Sequence, residues 1–216
     1  AFHAQQILEE VVTAMVAHHI QNVDTNNVCL AGGIALNCKL NKRIRELPDV
    51  EDLFVQPAAN DAGGSLGAAM ELNRADGQRV AEMKHVYLGS EYSSEEIVGT
   101  LETLKLSYEK IDSAPETVAN LLEDGQIVGW FQGSMEGGPR ALGNRSILAD
   151  PRTIESRDNV NKYVKHREEW RPFAPSMLPE EAERCLEGEI SKASHFMVDA
   201  YETTPEAESK IPAVLH

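Results

Sequence analysis

No stretch of the 216-residue chain offers the roughly 18 consecutive apolar residues that a membrane-spanning helix needs. Cysteine is equally scarce: Cys29, Cys38 and Cys185 form no CxxC pair. Such a sparse, odd count argues against a disulfide framework and against a thiolate zinc site, and it fits a reducing cytoplasm. Cys29 and Cys38 lie in apolar patterns and are expected in the core. Positive charge is short as well. Twenty Lys and Arg face 35 Asp and Glu, for a net charge of −15. That balance argues against a broad nucleic-acid-binding surface and suits solvation at high salt. The opening stretch AFHAQQILEEVV has no basic region followed by an apolar core, so no signal peptide is visible. Its amphipathic character instead points to a start inside a longer protein. Internal repeats and low-complexity tracts are absent.

What basic charge there is lies unevenly. Gln132 to Arg171 holds eight of the 20 basic residues and six of the 35 acidic ones, +2 against −17 for the rest. A basic island in an acidic chain points to an anion. The apolar content of 42% is enough for one sizeable core or two smaller ones.

The periodicities predict an α/β chain. An amphipathic helix is expected over residues 4–20, a strand at 28–31, and a helix over 34–46 after Gly32-Gly33. A strand at 53–55 stopped by Pro57 and a small-residue helix at 64–74 follow. Residues 75–90 show little periodicity. The expected division is a first domain over 1–76, a linker over 77–90 and a second domain over 91–216. In the second, Ser93 and Glu96 make a capping box before a helix. A strand is expected at 107–111, a helix at 115–124 closed by Gly125, and a strongly apolar, central strand at 127–131. The polar, glycine-rich stretch 132–146 reads as loop, 153–164 as helix and 173–178 as strand. The tail from Lys192 is weakly periodic.

Two constellations carry chemistry. Gly32-Gly33, between a strand and a helix, suits a plain tight turn or a phosphate or ribose site, since glycines admit a ligand to the backbone. Asn37 and Asn41, four apart, are expected on one helix face. Asp61, in Asn60-Asp61-Ala62-Gly63-Gly64, suits a helix cap or a metal or phosphate site. In the second constellation, Arg140 and Arg145 flank a glycine bend and could converge on one anion. Asn161, Lys165, Arg167 and Arg171 follow, with Pro172 and Pro175 stiffening the segment behind. Interleaved glycine, proline and arginine favour an anion site over a solvated charged face.

LAGGIALNCKLN with QPAANDAGGSLGAA, and EGGPRALGNRSILADPR with NKYVKHREEWRPFAPSML, resemble the O-carbamoyltransferases that modify nodulation factors and antibiotics. The resemblance covers nearly all of residues 1–200, and both ends look cut. It implies the end of an actin-like ATPase domain followed by a YrdC-like α/β domain. Gly137 stands where the family commonly has an aromatic, a change expected to loosen local packing. The implied reaction joins carbamoyl phosphate and ATP into carbamoyl-adenylate with release of pyrophosphate, then carries the carbamoyl group to an acceptor hydroxyl. Arg140, Arg145, Lys165, Arg167 and Arg171 are implied at the phosphates, with Asn144, Ser146 and Asn161 supporting. Gly32, Gly33, Asn37 and Asn41 are implied along the nucleotide site of the larger domain, with Mg2+ accompanying ATP. Asp61 is implied as an Fe2+ ligand whose histidine partners come from an HxxxH motif that this sequence lacks; His18 and His19 are adjacent and do not match it. The reading carries no nucleic acid and no membrane, and it leaves a homodimer open. Three other readings remain: a sugar or acetate kinase on the same actin-like core, a non-catalytic nucleotide- or anion-binding module, and threonylcarbamoyl chemistry on RNA.

Overall fold

The computed structural model describes residues 2–80 and 82–215, and the chain forms two compact units that share it discontinuously. The first comprises Ala1–Val86, Gly137–Arg140 and Gly188–Glu202; the second comprises Tyr87–Glu136, Ala141–Glu187 and Thr203–His216.

In the first unit, α1 (Phe2–Ile20) precedes β1 (Asn27–Leu30), α2 (Cys38–Arg45) and β2 (Asp52–Val55). β1 and β2 pair in parallel with Leu30 opposite Val55, so β1, α2 and β2 form a βαβ unit. Alternation along β2 sends Leu53 and Val55 inward, where they join Val16 and Ile20 of α1, Leu40 and Ile44 of α2, and Val198 in a common set of buried apolar residues. The opposite edge of the pattern stays open: Phe54 and its register partner Cys29 are exposed. Cys29 is therefore no core residue, because among the described residues nothing in this unit covers that face. The segment 188–202 contributes a 3-10 turn, Lys192–Phe196, that packs against β2. α3 (Gly64–Ala75) closes the unit.

The helix expected over 34–46 is broken. A 3-10 turn, Gly33–Leu36, gives way at Asn37, whose extended backbone (φ −84°, ψ 95°) restarts the chain as α2. Asn37 accepts the Leu40 N–H at 3.1 Å, the bond of a helix cap, and that local alternative overrides the apolar period.

The second unit holds α4 (Ser94–Thr103), α5 (Ala114–Glu123), β3 (Val128–Phe131), β4 (Arg145–Leu148), α6 (Ile154–Asn159), α7 (Pro179–Cys185) and α8 (Pro205–Lys210). The capping box is present: Ser93 accepts the Glu96 N–H at 3.2 Å and the Glu96 carboxylate accepts the Ser93 N–H at 2.8 Å. β3 is not central. Among the described residues it pairs only with β4, antiparallel, with Trp130 opposite Ser146. β4 lies partly inside the stretch read as loop.

Neither of the other two expected strands forms. Residues 107–111 leave α4 with Tyr108 and Ile111 exposed and no strand beside them. Residues 173–178 cannot ladder well, since Pro172 and Pro175 lack N–H donors. The expected helix over 153–164 is α6 continued by a π-helical turn, Val160–Lys165. At Gly137 an added Cβ would meet only the Val86 carbonyl oxygen, at an ordinary 3.5 Å, so the backbone there leaves room for a larger residue.

Candidate functional site

Two loops meet beyond the carboxyl ends of β1 and β2, the place where open α/β units offer backbone N–H groups to ligands. Gly32 takes φ 95° and ψ 163°, a conformation that L side chains rarely adopt, and its N–H donates to the Ala59 carbonyl at 2.6 Å. That bond joins the glycine turn to the loop after β2. The second loop is tight because of Gly63: a Cβ there would lie 2.4 Å from the Ala58 oxygen. Asn60 caps the loop by accepting the Ala62 N–H at 3.2 Å, which leaves Asp61 exposed.

Asn37 and Asn41 do not share a ligand-facing helix surface. Besides capping α2, Asn37 donates to Gln5 at 2.8 Å. Asn41 is fully buried and donates to the carbonyls of Ala35 (2.8 Å) and Val198 (2.7 Å). Both asparagines brace the framework, while Gly32 and Gly33 form its exposed lip.

Arg140 belongs to this same unit. Its Nη2 donates to the Leu36 carbonyl at 3.2 Å, and its Nε is buried without a hydrogen-bond partner. A guanidinium with unused donor capacity thus stands beside the 3-10 turn that follows Gly32. The other four predicted cations lie in the second unit.

There, a residue that the sequence reading passed over organises the arginine-rich loop. Glu136, only 8% exposed, accepts the backbone N–H groups of Leu142 (2.7 Å), Asn144 (2.8 Å) and Arg145 (3.2 Å) through one carboxylate oxygen. Burial pushes its carboxyl up, but the N–H donors of Asn144, Leu142 and Arg145 outweigh that and hold it below the usual carboxylate range. The Gly143 N–H is taken by Ser146 Oγ at 3.0 Å, and Asn144 Nδ2 donates to the Ser134 carbonyl at 2.8 Å. The backbone donors that such a loop would offer a phosphate are therefore held by the chain's own side chains. A lone acid inside a basic, glycine-rich stretch was the available signal for Glu136.

Arg145 is similarly engaged. It donates to the carbonyls of Gln132 (2.6 Å), Asn144 (2.9 Å), Ser90 (3.1 Å) and Gly133 (3.1 Å), and its guanidinium carbon sits 3.6 Å from the centre of the Phe131 ring. In this arrangement it clamps the loop to its surroundings.

The second basic set gathers around the π-helical turn. Asn161 points inward, while Arg167 is half-buried and Lys165 exposed. Burial pushes the Arg167 guanidinium down from its ordinary value, the nearby Arg171 adds to this, and Glu168 opposes it; the group remains a cation. Arg171 pairs with Glu168 at 3.0 Å, as Arg152 does with Asp150 (2.6 Å) and Arg157 with Asp158 (2.8 Å). Lys165 and Arg167, like Lys162 and Arg145, have no carboxylate partner among the described residues.

Among the described residues no group of three His, Cys, Asp or Glu could hold a metal ion. Asp61 supplies one exposed carboxylate and His18 and His19 lie on the exposed side of α1, so these residues do not by themselves make an iron centre.

Two family models match the chain: carbamoyltransferase N-terminus over residues 1–70 and carbamoyltransferase C-terminus over residues 119–216. The nodulation protein NolNO of Sinorhizobium fredii is 41% identical over 189 residues, spanning 85% of this chain and 28% of its own length. The nodulation protein U of Bradyrhizobium diazoefficiens is 32% identical over 219 residues, covering 100% of this chain and 37% of its own. The 3'-hydroxymethylcephem-O-carbamoyltransferase of Streptomyces clavuligerus is 37% identical over 147 residues, 68% of this chain and 27% of its own. The chain spans about a third of the length of the relatives it matches.

Proposed function

Because the chain belongs to the carbamoyltransferase family, we propose that it forms part of an enzyme that moves a carbamoyl group from carbamoyl phosphate to a hydroxyl of a small molecule or sugar, with ATP as co-substrate. In this reading carbamoyl phosphate, ATP and one water give carbamoyl-adenylate, pyrophosphate and inorganic phosphate, and AMP leaves when the acceptor oxygen takes the carbamoyl group. The first unit is read as the end of an actin-like ATPase domain and the second as a YrdC-like domain.

The observation that carries the reading is the pair Lys165 and Arg167, cations without carboxylate partners in an island whose neighbouring arginines are paired. A dianionic phosphate supplies the missing charge. Carbamoyl phosphate also decomposes readily, so a cation fixed before it arrives, as Arg167 is by Asn161, and a site closed to bulk water favour transfer over loss. Arg140, with unused donor capacity beside the Gly32 turn, is assigned a phosphate in the first unit. Arg145, Asn144 and Ser146 are assigned to building the loop, because their polar groups already bond within it. When bound, Mg2+ would neutralise ATP phosphates. The metal chemistry expected at Asp61 needs ligands beyond the described residues, so no step is drawn through it.

The test is pyrophosphate release from ATP with and without carbamoyl phosphate. Strict dependence on carbamoyl phosphate is expected. A phosphorylated acceptor without pyrophosphate would instead establish a kinase, and binding without turnover a non-catalytic module.

A further inference from the structure

The charged groups of the 165–171 loop project from a stretch with little regular structure. α6 ends at Asn159 and the chain continues for one π-helical turn, Val160–Lys165, before His166 turns it sharply in the left-handed conformation (φ 48°). A π-turn widens the helix by one residue and rotates the side chains that follow. Here it directs Asn161 inward, where its exposure is 0%.

That side chain bonds at both ends of its amide. Nδ2 donates to the carbonyls of Glu169 (3.2 Å) and Arg171 (3.0 Å), and Oδ1 accepts Arg167 Nε–H at 2.7 Å. The Asn161 carbonyl also accepts the Arg167 N–H at 3.0 Å. One buried carboxamide therefore fixes the loop backbone on one side and the guanidinium on the other. Arg167 is held further by the Phe173 ring, 4.8 Å from its guanidinium carbon, and its Nη2 donates to the Pro172 carbonyl at 3.5 Å. Its Nη1 has no partner among the described residues.

We propose that Asn161 is a positioning residue, which locks Arg167 through Nε and leaves Nη1 to meet the phosphate of the donor. This replaces the direct substrate contact expected for Asn161, since a fully buried amide with both ends occupied cannot meet a ligand. It rests on the reading that Arg167 binds carbamoyl phosphate. A side chain that orients a charged ligand-binding group acts on affinity through that group alone.

Arginine Nε–H signals in the magnetic resonance spectrum of the 15N-labelled protein test this, with inorganic phosphate as the probe and Arg167→Lys identifying the Arg167 signal. In the unmutated protein that proton should exchange slowly and shift as phosphate is added. Asn161→Ala should release it to fast exchange and weaken phosphate binding about tenfold, the effect of losing one hydrogen bond to a charged group. Combining Asn161→Ala with Arg167→Lys should cost no more than Arg167→Lys alone. Additive losses, or a slowly exchanging Nε–H in Asn161→Ala, would overturn the positioning role and leave the phosphate reading standing. Phosphate binding untouched by Arg167→Lys would remove both. Should Asn161→Ala fail to fold, exchange of this proton in the unmutated protein still decides, because rates like those of solvent-exposed arginines refute the clamp.

Discussion

Replacing Glu136 tests how the arginine-rich loop is held. Its carboxylate accepts three backbone N–H groups while 8% exposed, and hydrogen bonds to a charged acceptor contribute about 1.5–3 kcal/mol each. The three share one oxygen and the loop can partly reach water once released, so Glu136→Ala should cost about 2–4 kcal/mol in all. Glu136→Gln keeps one oxygen but no charge and should cost about half as much. At a urea slope of about 2 kcal/mol per molar, the alanine variant should unfold about 1–2 M earlier. Both tryptophans, Trp130 and Trp170, lie in the second unit, so their fluorescence follows that unit alone. The folded carboxyl titrates below its ordinary value of 4.5, so its contribution is fully present above that value and disappears as the pH falls through the lower folded value. Midpoints of the native protein and Glu136→Gln should therefore differ at neutral pH and converge in acid. A midpoint for Glu136→Ala equal to that of the native protein, or a gap that survives full protonation, would refute the account.

Three further outcomes follow from the first unit. Asp199 has a fully buried side chain that accepts Arg45 Nε–H at 2.8 Å, Ser191 Oγ–H at 2.7 Å and the Ala200 N–H at 2.8 Å, so Asp199→Ala should destabilise this unit by about 3–5 kcal/mol, read as a lower thermal midpoint by circular dichroism. Gly63→Ala should prevent the 57–64 loop from closing, because its Cβ would sit 2.4 Å from the Ala58 oxygen; undiminished stability in urea would refute that contact. Exposed Cys29 should react first with a thiol reagent in the folded protein, with Cys185, 4% exposed, protected until denaturant is added; equal rates would contradict the open face of β1.

The sequence made the βαβ element legible because its strands are short apolar runs stopped by Gly32 and Pro57, and its helices carry caps or small residues. It misled where a local hydrogen bond competed with a period, as at Asn37, and where an apolar run lacked a partner strand, as at 107–111. At the candidate site, residue type showed that an anion was wanted but not which donors were free. Arg145 and Arg167 look alike in sequence, yet one donates to four carbonyls and the other keeps an open nitrogen. Glu136 was missed because a lone acid in a basic stretch is only a faint signal, and its role depends on backbone N–H groups six to nine residues away.

The way the chain is divided between the units bears on the order in which it can fold during synthesis. α2 emerges early with Asn41 and Arg45, yet the groups that satisfy them, the Val198 carbonyl and the Asp199 carboxylate, are more than 150 residues further on. Translation must therefore deliver most of the second unit before the first can finish. A nascent chain halted before residue 198 would hold α2 with its amide bonded only to Ala35 and its guanidinium without Asp199, an incomplete form exposed to chaperones and proteases. A gene split at the expected 77–90 linker would place α2 and residues 188–202 of the same unit on different chains, so a cut there does not yield two separate cassettes.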